Sequence, residues 1–459
     1  MNRPEKLIGF WGGIVLCVVL WQIPLNGLGR EGQLCLGLTL MTVVWWAAQV
    51  AQSGYISGIY LVLLCLLKVE EPSVIFFSWT SSTIWLVAGA YLIACAVRGS
   101  GLGERLSYAF ILKFVRGWRS IIASIFVLTL LLSLLIPHPW PRAFLIMSVM
   151  RVVIRSAAIP KRDAAIIGFT VFAASVPVSL VFITGDASIN PLAASYAPEE
   201  VSFLRWMQVI GPPAVLLSLL TLVLIMVLFR PSAPVVIDLE QVRAAQAKLG
   251  KLRQRELRAL VWVIIAVLLW VTNGITGLDI GWITLLIAMA MSLPVIGEVL
   301  QPQDWREVPI HVMVFLTAAM AIGKVGTSTG MNTWIANTLM PAAMPESRIL
   351  MALCIAVLSV IIHMFMGSVI AVMGITIPAF LAFAQGSGIS PLAIIGIVYL
   401  SVAGHYVLPF HHLNILVGQG EENGMYSQRE TIKMGGPLLL AVLITVTAAV
   451  AWWSVLGLI

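Results

Sequence analysis

Charge is what this sequence has least of. Of 459 residues, 27 are Lys or Arg and 20 are Asp or Glu, 10% of the chain, where a soluble domain carries roughly 25%. So few charges cannot coat a solvated surface. Soluble multidomain folds, disordered chains and nucleic-acid-binding surfaces are excluded together. Cysteine is also sparse. The five (Cys17, Cys35, Cys65, Cys95, Cys354) lie singly in apolar runs, with no Cys-x-x-Cys pair, which excludes a disulfide scaffold and a thiolate metal framework. No nucleophile–base pair, metal motif or nucleotide loop is present, so neither an enzyme nor a cofactor is expected.

What remains is apolar: 60% of the chain is hydrophobic. Runs of about twenty such residues recur from end to end, each suited to a hydrocarbon layer ~30 Å thick. The reading is an all-α polytopic membrane protein whose first partner is the lipid bilayer. Spans are expected at 7–26, 33–51, 54–68, 82–98, 165–183, 205–229, 259–275, 280–298, 309–325, 391–408 and 433–456, about eleven transmembrane helices. The first run has no small-residue cleavage site behind it and reads as a helix, not a removable signal.

Two longer apolar stretches differ in kind. Stretch 119–156 is interrupted at Pro137-His138-Pro139-Trp140-Pro141, and stretch 346–385 at Gly367-Ser368. Basic residues collect at Arg3 and Lys6, at Arg98 to Arg119, at Arg151 to Arg162 and at Arg230 to Arg258. Placing these clusters in the cytoplasm puts the N-terminus there, in a plasma (inner) membrane. It also requires 119–156 to enter and return on one side, as a re-entrant hairpin. Segment 231–258 is expected to be a cytoplasmic linker carrying an amphipathic helix, or an ordinary charged connector.

The linker separates two similar halves, 1–230 and 259–459. Leu92–Leu102 matches Ala321–Met331 at an offset of 229, and the tip His138-Pro139-Trp140 falls near Ser368-Val369-Ile370. Each hairpin is followed by an apolar helix interrupted by polar residues, at Thr184 to Asn190 and at Pro409 to Asn414. An odd number of spans between the copies inverts the second. Inverted repeats with broken helices suit a transporter, because unwound backbone at membrane depth must line a cavity or bind something. Helix N-termini at such breaks favour an anion.

Several stretches resemble the divalent anion/sodium symporter family of the ion transporter superfamily, and within it the citrate/succinate-type carboxylate exchangers. Ile136–Ala143 and His363–Ala371 resemble the family's two hairpin tips, Thr184–Leu192 its first unwound helix, and Gln303-Asp304-Trp305 its Asp-Trp segment before the second hairpin. The resemblance runs from about residue 80 to the end. It implies a homodimeric elevator transporter of a small divalent anion, a di- or tricarboxylate or sulfate. The family's tips usually read Ser-Asn-Thr; here the first is His138-Pro139-Trp140 and only Ser368 survives at the second.

The expected substrate-binding residues are His138, Pro139, Trp140, Arg142, Ser368, Val369, Thr184, Asn190, His411, His412 and Asn414. A coupling ion is expected at Thr184, Gly185, Asp186, His138, His411 and His412. Arg142 is read as an anion ligand, against a structural pair with Asp186; Asn190 and Asn414 either touch substrate or replace lost backbone hydrogen bonds. The histidines change charge near neutral pH, so coupling to protons or exchange for another anion is expected in place of sodium. The alternatives are sodium-coupled dicarboxylate or sulfate symport, and cation/proton antiport at Asp186. His311 and His363 read as packing residues.

Overall fold

The computed structural model describes residues 3–232, 239–339, 345 and 347–459, and all regular structure among them is helical apart from an isolated bridge between Gln419 and Tyr426. Helices α1 (Arg3–Gln22), α2 (Arg30–Ala47) and α3 (Ser53–Leu66) run back and forth, followed by the short turns α4 (Pro72–Ile75) and α5 (Phe77–Thr80). Helix α6 (Ser82–Ser100) gives way to α7 (Leu102–Phe114) at Gly101. That glycine sits at φ +87, where a side chain is strained.

Next comes the first hairpin, α8 (Trp118–Ser133) and α9 (Pro139–Ser156). A residue before proline is disfavoured in the helical region; two prolines in close succession end the helix here, and His138 is extended at φ −147. The chain therefore turns at the expected tip. Helix α10 (Lys161–Val178) stops just after Pro177, and the chain unwinds through Gly185 before α11 (Ile189–Ala194). Expected span 205–229 is two helices, α12 (Phe203–Val209) and α13 (Gly211–Leu228), broken ahead of Pro212-Pro213.

The second half opens with α14 (Glu240–Lys248), α15 (Gln254–Thr276) and α16 (Ile280–Ala290). Helix α16 ends eight residues short of expected position 298: the chain turns there, with Val295 and Glu298 at φ 74 and 57. After a 3-10 turn at Pro302–Glu307 come α17 (Ile310–Ser328) and α18 (Met331–Leu339), joined at Gly330 (φ +77). The second hairpin is α19 (Arg348–Met366) and α20 (Val369–Phe383), turning at Gly367 (φ +60) and Ser368. Helix α21 (Pro391–Ala403) unwinds at Gly404 and resumes as α22 (Leu413–Val417) before α23 (Gln428–Val455).

Equivalent elements begin at constant spacing. Helices α8 and α19 start at 118 and 348, α9 and α20 at 139 and 369, α10 and α21 at 161 and 391, an offset of 230 each time. The copies are antiparallel: Arg98, near the end of α6, reaches Glu307, just before the start of α17, at 3.0 Å. Helices α6 and α16 lie together, as do α3 and α17, so each half lends a helix to the other. Among the described residues, six helices (α6, α13, α15, α17, α19, α23) are long and apolar enough to cross a membrane by length and composition.

Of linker 231–258, residues 233–238 lie outside the described part. Its helix α14 rests on α7 and α9 and buries Val242. The Arg105 guanidinium holds it there, donating to the carbonyls of Leu249, Gly250 and Lys251 and to the Glu256 carboxylate.

Candidate functional site

Both tips and both breaks meet at one cavity of about 560 Å³. Tip 1 contributes His138, Pro139 and Trp140, tip 2 Gly367 to Ile370, the first break Asp186 and Ser188, and the second Phe410 to Asn414. The wall also includes Tyr91, Trp46, His311, Val312, Phe315 and Ile189, and the cavity reaches exposed Gln49, Ala51 and Gln52 with Lys6 at its rim.

Four helices start here, each with a side chain on its first amides, where the helix supplies no acceptor. His138 Nδ1 accepts from the Trp140 amide at 3.3 Å on α9. Asp186 Oδ1 accepts from Ser188 and Ile189 at 2.9 and 3.2 Å ahead of α11. Ser368 Oγ accepts from Ala371 at 3.4 Å on α20, and His412 Nδ1 from Asn414 at 3.3 Å on α22. Histidine is not a usual capping residue, so the sequence gives no cap signal at 138 or 412. His411 Nδ1 likewise accepts from the amides of Val407 and Leu408, at 3.2 and 3.1 Å.

The tips are tied to the breaks. Trp140 Nε1 donates to Asn414 Oδ1 at 2.6 Å, joining tip 1 to the second break. The Ala187 amide donates to Pro137 O at 3.1 Å. His363 Nε2 bonds His411 O at 2.9 Å, so its packing role is also a link from hairpin 2 to the second break.

Four expected site residues lie outside the cavity wall: Arg142, Thr184, Gly185 and Asn190. Arg142 is wholly buried, and its guanidinium donates to Ile136 O at 3.0 Å, to Gly185 O at 3.2 Å and to Ser179 Oγ. Unwinding frees carbonyls at membrane depth, and a planar fork of donors meets several at once. No ion pair joins Arg142 to Asp186 among the described residues. The expected anion ligand is thus a backbone clamp behind tip 1, and the alternative Asp186 pair is not formed either. Asn190 replaces lost backbone bonds: its Nδ2 donates to Ser179 O and Phe182 O, both at 2.8 Å, and its Oδ1 accepts from Tyr399 at 2.5 Å.

Among the wall residues, Asn414 Nδ2 is buried with no hydrogen-bond partner, while the Ser188 hydroxyl adjoins Tyr91 and the His411 ring adjoins the Met364 main chain. Sequence reasoning missed Ser188 and Tyr91, whose hydroxyl meets His138 Nε2 at 2.6 Å. Only the position of Tyr91 beside the repeated 92–102 segment hinted at it.

Two hairpin tips and two broken helices of opposite sense around one cavity define an inverted-repeat membrane transporter. The family model described as the sodium:sulfate symporter transmembrane region matches residues 5–459, and the chain belongs to that family. It is 24% identical to the chloroplastic dicarboxylate transporter 1 of Spinacia oleracea over 84% of this chain and 71% of that one. It is 22% identical to the sodium-dependent dicarboxylate transporter SdcS of Staphylococcus saprophyticus (71% and 68%), and 24% identical to the citrate/succinate antiporter of Escherichia coli K12 (57% and 55%). The solved YdaH transporter of Alcanivorax borkumensis shares the fold, with a TM-score of 0.51 at 17% identity over 94% of this chain and 98% of that one. The chain is a multi-pass membrane transporter of a small anion, not an enzyme.

Proposed function

We propose that this protein exchanges organic carboxylates across a plasma (inner) membrane, with its N-terminus in the cytoplasm, as a homodimeric elevator. The observation that carries the substrate class is a buried, unpartnered donor, Asn414 Nδ2, in the cavity wall that also holds the start of α20. An unmet buried donor is costly, and a carboxylate oxygen would meet it. Relatives named for dicarboxylates or citrate and succinate support the same class. Elevator movement is supported by the cavity's position, between the bundle of tips and breaks and a separate apolar cluster built from α1 to α3 with α17. The halves 1–230 and 259–459 are the two repeats, joined by 231–258.

Exchange is favoured over sodium coupling by what occupies the oxygens beside tip 1. Arg142 takes those of Ile136, Gly185 and Ser179, Asn190 takes the carbonyls of Ser179 and Phe182, and the Ala187 amide takes that of Pro137. A fixed cation sits where a mobile one would need those ligands. The histidines do not provide the switchable charge expected of them. His138, His411 and His412 each accept a main-chain N–H on Nδ1, so each neutral ring carries its proton on Nε2. A second proton would displace the main-chain donor.

Proteoliposomes test this directly. Labelled carboxylate should enter vesicles preloaded with unlabelled substrate, and neither a sodium nor a pH gradient alone should drive uptake. Uptake that requires sodium sinks exchange; absence of carboxylate uptake under all three conditions sinks the transport reading.

A further inference from the structure

We infer that the clamp is one-sided: it grips a single carboxylate at tip 2 and lays an uncharged apolar body against tip 1, so its preferred substrate is a monocarboxylate with a hydrocarbon or aromatic body. This rests on the carboxylate-transport reading above.

Tip 1 has no donor left to give. The first turn of α9 reads Pro139-Trp140-Pro141, and proline has no N–H. The remaining amide, of Trp140, is taken by His138 Nδ1, and the Trp140 indole N–H by Asn414 Oδ1. His138 Nε2 is occupied by the Tyr91 hydroxyl. The same side carries the Asp186 carboxylate, 4% exposed and part of the cavity wall. Its segment is stitched to tip 1 by the bond from the Ala187 amide to Pro137 O. A second substrate carboxylate placed here would meet a like charge, with the Ser188 and Tyr91 hydroxyls as the side-chain donors beside tip 1. The like charge penalises it in a poorly solvated site.

Tip 2 is the opposite. The first turn of α20, Val369-Ile370-Ala371, contains no proline, and Ser368 Oγ takes only the Ala371 amide. The first two amides thus have no acceptor within the helix. Asn414 Nδ2, on a side chain 3% exposed, stands unpartnered in the same wall. Carboxylates suit that set, two oxygens accepting from several N–H groups at a positive helix end. The same cavity is also lined by Pro139, Trp140, Trp46, Phe315 and Ile189. The one ammonium of the wall, Lys6, is in the first turns of α1 at the rim with Gln49 and Gln52.

Purified full-length protein in nanodiscs is titrated with hexanoate, hydrocinnamate, succinate and sulfate at neutral pH, reading dissociation constants by calorimetry. Hexanoate and hydrocinnamate should bind about tenfold or more tighter than succinate, a difference of about 1.4 kcal/mol. The double variant Pro139→Ser with Pro141→Ala restores two amides to α9 and should narrow that ratio. Asn414→Asp keeps the acceptor for Trp140 but loses the donor, and should weaken every carboxylate. Should the variants not assemble, the wild-type ratio decides. Succinate binding as tightly as hexanoate overturns the one-sided clamp and leaves the carboxylate reading intact. If no carboxylate binds, both are overturned.

Discussion

The indole of Trp140 and the carboxamide of Asn414 are bonded at 2.6 Å although 274 positions separate them in sequence. An amide group can face either way; with Oδ1 held by the indole, Nδ2 is fixed as the free donor. One bond therefore both joins the halves and sets the polarity of the binding wall.

Replacing Trp140 by Phe keeps the ring and removes that donor. A net hydrogen bond contributes about 0.5–1.5 kcal/mol, so substrate affinity should fall roughly two- to tenfold, with little change in melting temperature. Uptake kinetics and a thermal melt on the same preparation check this. Unchanged KM would mean that the indole does not orient the amide.

Arg142→Gln should damage assembly before it damages binding. Three oxygens lose a charged donor, each bond contributing about 1.5–3 kcal/mol. The expected result is a poor yield of monodisperse protein. Arg142→Lys, whose single ammonium cannot span the three positions, should assemble with a lowered melting temperature and an unaltered KM. Normal assembly with lost binding would place the guanidinium against substrate after all.

The linker latch supplies the pH dependence. Burial pushes the Glu256 carboxyl up, but the Arg253 amide and the Arg105 guanidinium outweigh it and hold the group below the ordinary glutamate range. A depressed folded-state value stabilises above the unfolded value and is lost as pH falls through the folded one. Thermal melts across the acid range should show wild type more stable than Glu256→Gln at neutral pH. The gap should close below the ordinary glutamate value. A gap independent of pH would assign the loss to packing.

Cysteine labelling tests the second tip. With the five native cysteines replaced, Ser368→Cys should react with a water-soluble thiol reagent through the cavity, and substrate should slow the reaction. Reaction that substrate leaves unchanged would put residue 368 outside the site.

Much of this architecture was legible because membrane depth restricts the choices. The closely spaced Pro137 and Pro139, and Gly367 at positive φ, mark the two turns, so both tips stand where the sequence predicts them. Arg98, Arg105 and Arg258 of the basic clusters pair with Glu307, Glu256 and Glu298. Depth alone does not say which oxygens a buried donor meets. Arg142 and Asn190 look in sequence like ligands, and only the folded breaks show that backbone carbonyls claim them first. Helices α7 and α18 were invisible for another reason: they are too short or too polar for a spanning pattern.

The reciprocal placement of α3 against α17 and α6 against α16 reaches beyond this chain. These two contacts are counterparts with the roles exchanged, the arrangement that two identical half-length chains make when they pair about a two-fold axis. The cavity's two helix starts nevertheless differ: α20 opens without proline, α9 with two. Covalent fusion is what permits this, since symmetry-related sites in a dimer of identical chains must mutate together. Joined in one polypeptide, the two faces can specialise separately.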